Sequence, residues 1–267
     1  MNQNLLFEKG YINDNYDKDK IKKIFSNEMI NEFFAKINKI AGKIENNSYL
    51  EISHENTNSF ELMLNNFKEG VFLSDDPFES LLVYHYSKII NKNLNVYNYF
   101  FTPKSLSALK LNESFDFIFS LLGISFEQLF LIIPQILGFL KIDGILGLLI
   151  PSYWYDRDNL TPIESEIINY SKQNDKKWIF TDKLDPVIEE NGGNVIGFEQ
   201  MPFNININRL DLAYISSLSK LYDSIIKNNI AHLEIVNIPE KDIEIKTTLL
   251  TVKKTKKTIN KDNLFNL

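Results

Sequence analysis

The chain has 267 residues, 44% of them hydrophobic, enough to bury one sizeable core. Its net charge of −6 and its pI near 5.3 argue against a general nucleic-acid binder. Cysteine is absent, which excludes disulfides, thiolate catalysis and Cys-ligated zinc.

The first ten residues, MNQNLLFEKG, are polar and acidic and do not read as a secretory signal. From Lys18 to Ile44, apolar residues including Ile21, Ile24, Ile30, Phe33, Ile37 and Ile40 recur at steps of three and four. That spacing predicts one or two amphipathic helices. Tyr49–Ile52 reads as a buried strand, followed by a polar loop over Ser53–Ser59 and a helical apolar run over Phe60–Phe67. Gly70–Leu73 is a second strand. It stops at Ser74-Asp75-Asp76-Pro77, an N-terminus signal for a helix over Phe78–Ile90.

Asn95–Phe101 alternates like a strand and ends at Thr102-Pro103, and Phe115–Ser120 is the fourth strand. A helix over Phe126–Leu140 leads, through a turn at Lys141–Gly144, into the strand Ile145–Ile150. Glu127, Gln128, Pro134, Gln135, Lys141 and Asp143 interrupt this apolar region, so it reads as a buried helix and strand rather than a membrane span. Beyond it come helices over Thr161–Lys172, Lys183–Glu190 and Leu210–Ile226 and a strand over Asn194–Glu199. Ile243–Val252 alternates like a closing edge strand.

Strands taking turns with helices predict an α/β fold, a Rossmann-like doubly wound and mostly parallel sheet. The near-continuous apolar strands fit a sheet covered on both faces. The division expected is an N-terminal helical extension over 1–45, one domain over 46–252 and a flexible basic tail over 253–267. A cytoplasmic location is expected.

Three stretches resemble class I S-adenosylmethionine (SAM)-dependent methyltransferases. Phe115-Asp116-Phe117-Ile118-Phe119-Ser120 is similar to that family's fourth strand. Leu140-Lys141-Ile142-Asp143-Gly144-Ile145-Leu146 resembles its turn into the fifth strand, and Tyr49-Leu50-Glu51-Ile52 the start of its first motif. Leu184–Gly193 resembles a junction in the subgroup holding the malonyl-carrier methyltransferase of biotin synthesis and the arginine hydroxylase that assembles mitochondrial complex I.

The resemblance implies SAM as cofactor, with Glu51, Ser53, Asp75, Asp76, Thr102 and Ser120 as candidate contacts. Asp75 or Asp76 would accept hydrogen bonds from the ribose hydroxyls. The family's three loop glycines fall here on Ser53, Glu55 and Thr57. Glycine serves there because a Cβ would crowd the ligand. After the third strand, Thr102, Pro103, Lys104 and Ser105 replace the carboxylate that would meet the adenine amino group.

His54, His85 and His232 are too scattered for a zinc site. Asp156, Arg157 and Asp158 would follow the fifth strand on the ligand side or form a charged turn. The basic run Lys253-Lys254-Thr255-Lys256-Lys257 reads as a solvated terminus or a contact for an anionic partner. The expected function is a methyltransferase-like protein with weakened or lost SAM binding, acting through a protein partner. The rival is an active SAM-dependent methyltransferase on a small molecule or a protein.

Overall fold

The computed structural model describes residues 27–42, 44, 48–53, 69–89, 94–124, 126–151, 184–206, 242–245 and 247–257. The expected helices at 161–172 and 210–226, the apolar run at 60–67, and residues Glu55, Thr57 and Asp156–Asp158 lie outside these.

Seven strands form the main sheet: β1 (Ser48–Ser53), β2 (Glu69–Ser74), β3 (Leu94–Asn98), β4 (Phe115–Leu121), β5 (Leu140–Pro151), β6 (Gly193–Gln200) and β9 (Thr247–Lys254). Their order is β3-β2-β1-β4-β5-β9-β6. β1 lies between β2 and β4, parallel to both, with Leu50 opposite Val71 and Ile118. The expected central strand is therefore present. β7 (Phe203–Asn206) and β8 (Asp242–Ile245) form a separate antiparallel ribbon.

The helices are α1 (Asn27–Ala41), α2 (Pro77–Ile89), α3 (Pro103–Ser107), α4 (Phe126–Phe139) and α5 (Leu184–Glu190). On α1, Ile30, Phe33 and Ile37 are buried at the helical spacing expected of them. Gly42, at φ 79°, follows the last residue in the left-handed region that commonly stops a helix. Phe33 and Phe34 pack on Phe119 at ring-centroid distances of 6.2 and 5.4 Å. Further along, a side chain at Gly147 or Gly197 would collide with Ile37 or Ile40, so α1 rests directly on β5 and β6. Lys36 adds a 3.3 Å ion pair to Glu199. On the opposite face Leu50, Ile118, Leu146 and Leu148 are also buried, and α4 packs against β5, α3 and α5.

Two readings from sequence are corrected. The 243–252 segment is two strands, and β9 is no edge: it lies antiparallel between β5 and β6. Along β9, Thr247, Thr248 and Thr251 are as buried as Leu249 and Leu250. A small β-branched residue fits a strand covered on both faces. Lys141–Gly144, expected as a turn, is an irregular entry into β5. The register against β4 jumps from Leu140 opposite Phe115 to Ile145 opposite Phe117, with Asp143 at φ 66°. β9 runs through Lys254, whose side chain is buried.

Candidate functional site

In a parallel sheet, ligands bind beyond the carboxyl ends of the strands, where the connections diverge to opposite sides. Here that point lies between β1 and β4, and the residues ending β1, β2, β3 and β4 define the candidate site.

Side chains alternate along each strand, so Ser53 and Ser74, paired in register, point to the same face. α2 starts at Pro77, its first turn closed by the Ser80 amide donating to the Asp76 carbonyl at 3.1 Å. Three residues past Asp76, Glu79 turns back over the strand tips. Its side chain is only 3% exposed, Ser53 Oγ donates to one carboxylate oxygen at 2.8 Å, and Ser74 Oγ donates to the other at 2.7 Å. Ser74 Oγ also accepts from the Asp76 amide at 3.1 Å, and the Ser74 carbonyl accepts from Asn98 Nδ2 and the Tyr99 amide. The tips of β1, β2 and β3 and the start of α2 are thus one hydrogen-bonded clasp around a buried carboxylate. A carboxylate in such a place is tolerable because charge-assisted hydrogen bonds replace its water.

At the other side of β1, the chain leaving β4 folds back onto the strand end. Leu122 sits at φ 59° with its amide donating to the Leu149 carbonyl at 3.1 Å. The Gly123 amide donates to Ser120 Oγ at 3.1 Å. A Cβ on Gly123 would lie 2.7 Å from the Ile52 carbonyl oxygen and 2.8 Å from Ser53 Cα, so only glycine fits this approach.

Of the sequence candidates, Ser53 and Ser120 meet here, one on each side of Gly123. Glu51 is buried within β1, on the same face as Tyr49 and Phe119 rather than at the tip. Its charge, after the effect of burial, contributes to holding the Tyr49 phenol well above the ordinary tyrosine range. Asp75 and Asp76 are half-buried immediately after β2. Thr102 stands apart at the start of α3, where its hydroxyl caps the helix by accepting from the Ser105 amide at 3.2 Å. Tyr99 and Phe100 follow β3, and Phe100 is 75% exposed.

Reasoning from sequence missed Glu79 and Gly123. Glu79 did carry a signal, since an acidic residue three positions after Asp76 fits an N-terminal helix box. Gly123 had none, because its role depends on which strand its loop meets.

No protein-family model matches the sequence, and no curated protein matches it significantly. Solved structures do superpose. The YcgJ protein of Bacillus subtilis gives a TM-score of 0.52 at 13% identity, over 85% of this chain and 99% of that one. TehB of Haemophilus influenzae gives 0.50 at 11% identity, over 90% of this chain and 65% of that one. The MccD protein gives 0.50 at 11% identity, over 84% and 96%. In this chain one antiparallel strand, β9, is set between β5 and β6.

This is the class I methyltransferase fold.

Within the methyltransferase fold, the clasp occupies the ends of the first two strands, where the resemblance implied the cofactor loop and the ribose acid. Among the described residues no helix is long and apolar enough to cross a membrane.

Proposed function

We propose that this protein keeps the methyltransferase fold but has weakened its SAM site, and that it acts as a binding or assembly module for a protein partner in the cytoplasm. The observation that carries this reading is the Ser53–Glu79–Ser74 clasp. Hydroxyls that could face a ligand are committed to an internal carboxylate, and a ligand reaching between these strand tips would have to displace two charge-assisted hydrogen bonds. The carboxylate of SAM would also approach a region holding Glu79, Asp75 and Asp76, where like charge disfavours it.

The second reading is an active SAM-dependent methyltransferase. Asp75 and Asp76 beside exposed Tyr99 and Phe100 favour it, since carboxylates and an aromatic surface suit a ribose and an adenine ring. The sulfonium is already a reactive donor, so alignment alone could supply catalysis. The methyltransferase side of the biotin and complex I subgroup belongs to this reading through the resemblance at Leu184–Gly193, and its arginine-modifying side would instead mean hydroxylation.

Thermal denaturation with millimolar SAM or its demethylated product S-adenosylhomocysteine separates the two. A ligand at 100 times its Kd stabilises the fold by about 2.7 kcal/mol. The proposed reading expects a small shift or none, and a full shift abolished by Asp75→Ala overturns it.

A further inference from the structure

The segment leaving β4 combines three features that a passive connection does not need. Leu122 is a bulky residue in the left-handed region at φ 59°, a conformation that persists only where the surroundings impose it. Gly123 sits on the Ile52–Ser53 backbone so closely that no side chain is admitted. Ser120, at the end of the same strand, latches the turn by accepting the Gly123 amide. Leu122, Gly123 and Ile124 are all buried, so the turn fills the mouth between β1 and β4. That mouth is where a doubly wound sheet receives its ligand. A turn in this conformation, held by the Ser120–Gly123 bond and by the Leu122 amide on the Leu149 carbonyl, stores a bias toward moving away.

We propose that Leu122–Ile124 is a lid that shuts the β1–β4 crevice and must lift off Ser53 before a nucleoside-bearing ligand can enter. This rests on the reading of the site as a weakened SAM site and names how that weakening is produced: the crevice is closed. The affinity observed is the intrinsic affinity scaled by the fraction of chains with the lid raised. A cause built into the lid is removable, whereas a loss of ligand contacts is not. Gly123→Ala tests this, because its Cβ cannot share space with Ile52 and Ser53 and props the lid outward.

The experiment measures amide hydrogen exchange at residues 122–124 and the Kd of S-adenosylhomocysteine for the wild-type chain and for Gly123→Ala. The lid predicts at least tenfold faster exchange confined to these amides, with β1 and β4 still protected, and at least tenfold tighter binding in the variant. Freed lid amides with unchanged affinity overturn the lid and leave the weakened-site reading standing. Tight binding by the wild-type chain with protected lid amides overturns both. If Gly123→Ala fails to fold, Ser120→Ala removes the latch without a clash. Faster exchange limited to 122–124 then supports the lid, and unchanged exchange overturns it.

Discussion

Ser53, the last residue of β1, donates its hydroxyl at 2.8 Å to the carboxylate of Glu79, which comes from the first turn of α2, 26 residues further along the chain. A position that the family resemblance implied as a cofactor contact is engaged here in an internal bond. The clasp therefore has a structural cost when broken, as well as its bearing on ligand binding.

Glu79→Ala should destabilise the fold by about 2–3 kcal/mol, since it leaves two buried hydroxyls without their charged acceptor. Ser53→Ala and Ser74→Ala should each cost about 1–2 kcal/mol. Ser53→Ala should cost much less when introduced on top of Glu79→Ala, because its acceptor is already gone, and Ser74→Ala should cost less but still lose the Asp76 amide bond. Urea denaturation of the single and double variants checks this. Additive losses would mean that the three side chains do not act as a unit.

At the opposite end of the strands, Asp116 accepts from the Ser48 amide at 3.0 Å and from its hydroxyl at 2.9 Å, while pairing with Lys141 Nζ at 2.9 Å. The Lys141 ammonium is well exposed and its ion pair is screened by water. Asp116→Ala should therefore cost about 1–2 kcal/mol by removing the acceptor of the Ser48 amide, while the Ser48 hydroxyl keeps the Ser114 carbonyl, and Lys141→Met about 0.5 kcal/mol or less. The same denaturation measurement compares them, and a larger loss for Lys141→Met would reverse the assignment.

Gly192, at φ 80°, ends α5 and is gripped by the chain leaving β9: its carbonyl accepts from the amides of Thr255 and Lys256 at 2.8 and 3.2 Å. A Cβ there would lie 2.4 Å from the Lys256 carbonyl oxygen, a backbone atom with no rotamer to escape into. Gly192→Ala should cost at least about 2 kcal/mol, combining left-handed strain with displacement of the 255–256 backbone. Thermal denaturation reads the loss, and amide exchange at Thr255 and Lys256 should rise with it.

Lys254 lies under that same turn, 1% exposed, with Nζ donating to the Asn191 carbonyl at 3.1 Å. Burial pushes its ammonium down to about 8, against a weaker upward pull from Glu113. Between pH 8 and the ordinary lysine value, the unfolded chain holds a proton that the folded chain has released. Stability from this group therefore rises with pH through that window. Tyr49 opposes it at higher pH: its phenol is held above the ordinary value of 10.0, so the unfolded chain loses that proton first and the fold weakens. The difference in melting temperature between the wild-type chain and Lys254→Met, followed from pH 7.5 to 9.5, should move in favour of the wild type. A flat difference would show that Lys254 does not titrate in that range.

Much of the architecture was legible before any coordinates. Tyr49–Ile52, Val71–Leu73, Phe117–Phe119 and Ile145–Ile150 announce strands buried on both faces, and those segments pair as a parallel layer with β1 inside. Ile30, Phe33 and Ile37 announce the buried stripe of α1. Local periodicity is enough for this, because a chain can bury such stripes only by regular pairing and stacking.

The candidate site was legible only in outline. Ser53, Asp75, Asp76 and Ser120 came from the family resemblance, and the structure places them at or just after the ends of β1, β2 and β4. Thr102, which the resemblance implied as a ligand contact, caps α3 through its hydroxyl, since a threonine before a proline suits a helix start. The basic run at 253–257 read as a solvated terminus or a contact for an anionic partner; in the structure Lys254 is buried and Lys253 pairs with Asp143 at 2.9 Å. Charge in a sequence says nothing of which partner waits across the sheet.

The amino-acid order by itself determined which segments are strands and helices and which of their faces are apolar, because those follow from spacing along one chain. Only the tertiary structure decided that β9 enters between β5 and β6, that Glu79 closes over Ser53 and Ser74, and that Gly123 rests on the end of β1. Each of those depends on contacts between residues distant in sequence, whose energies arise only once the sheet has brought them together.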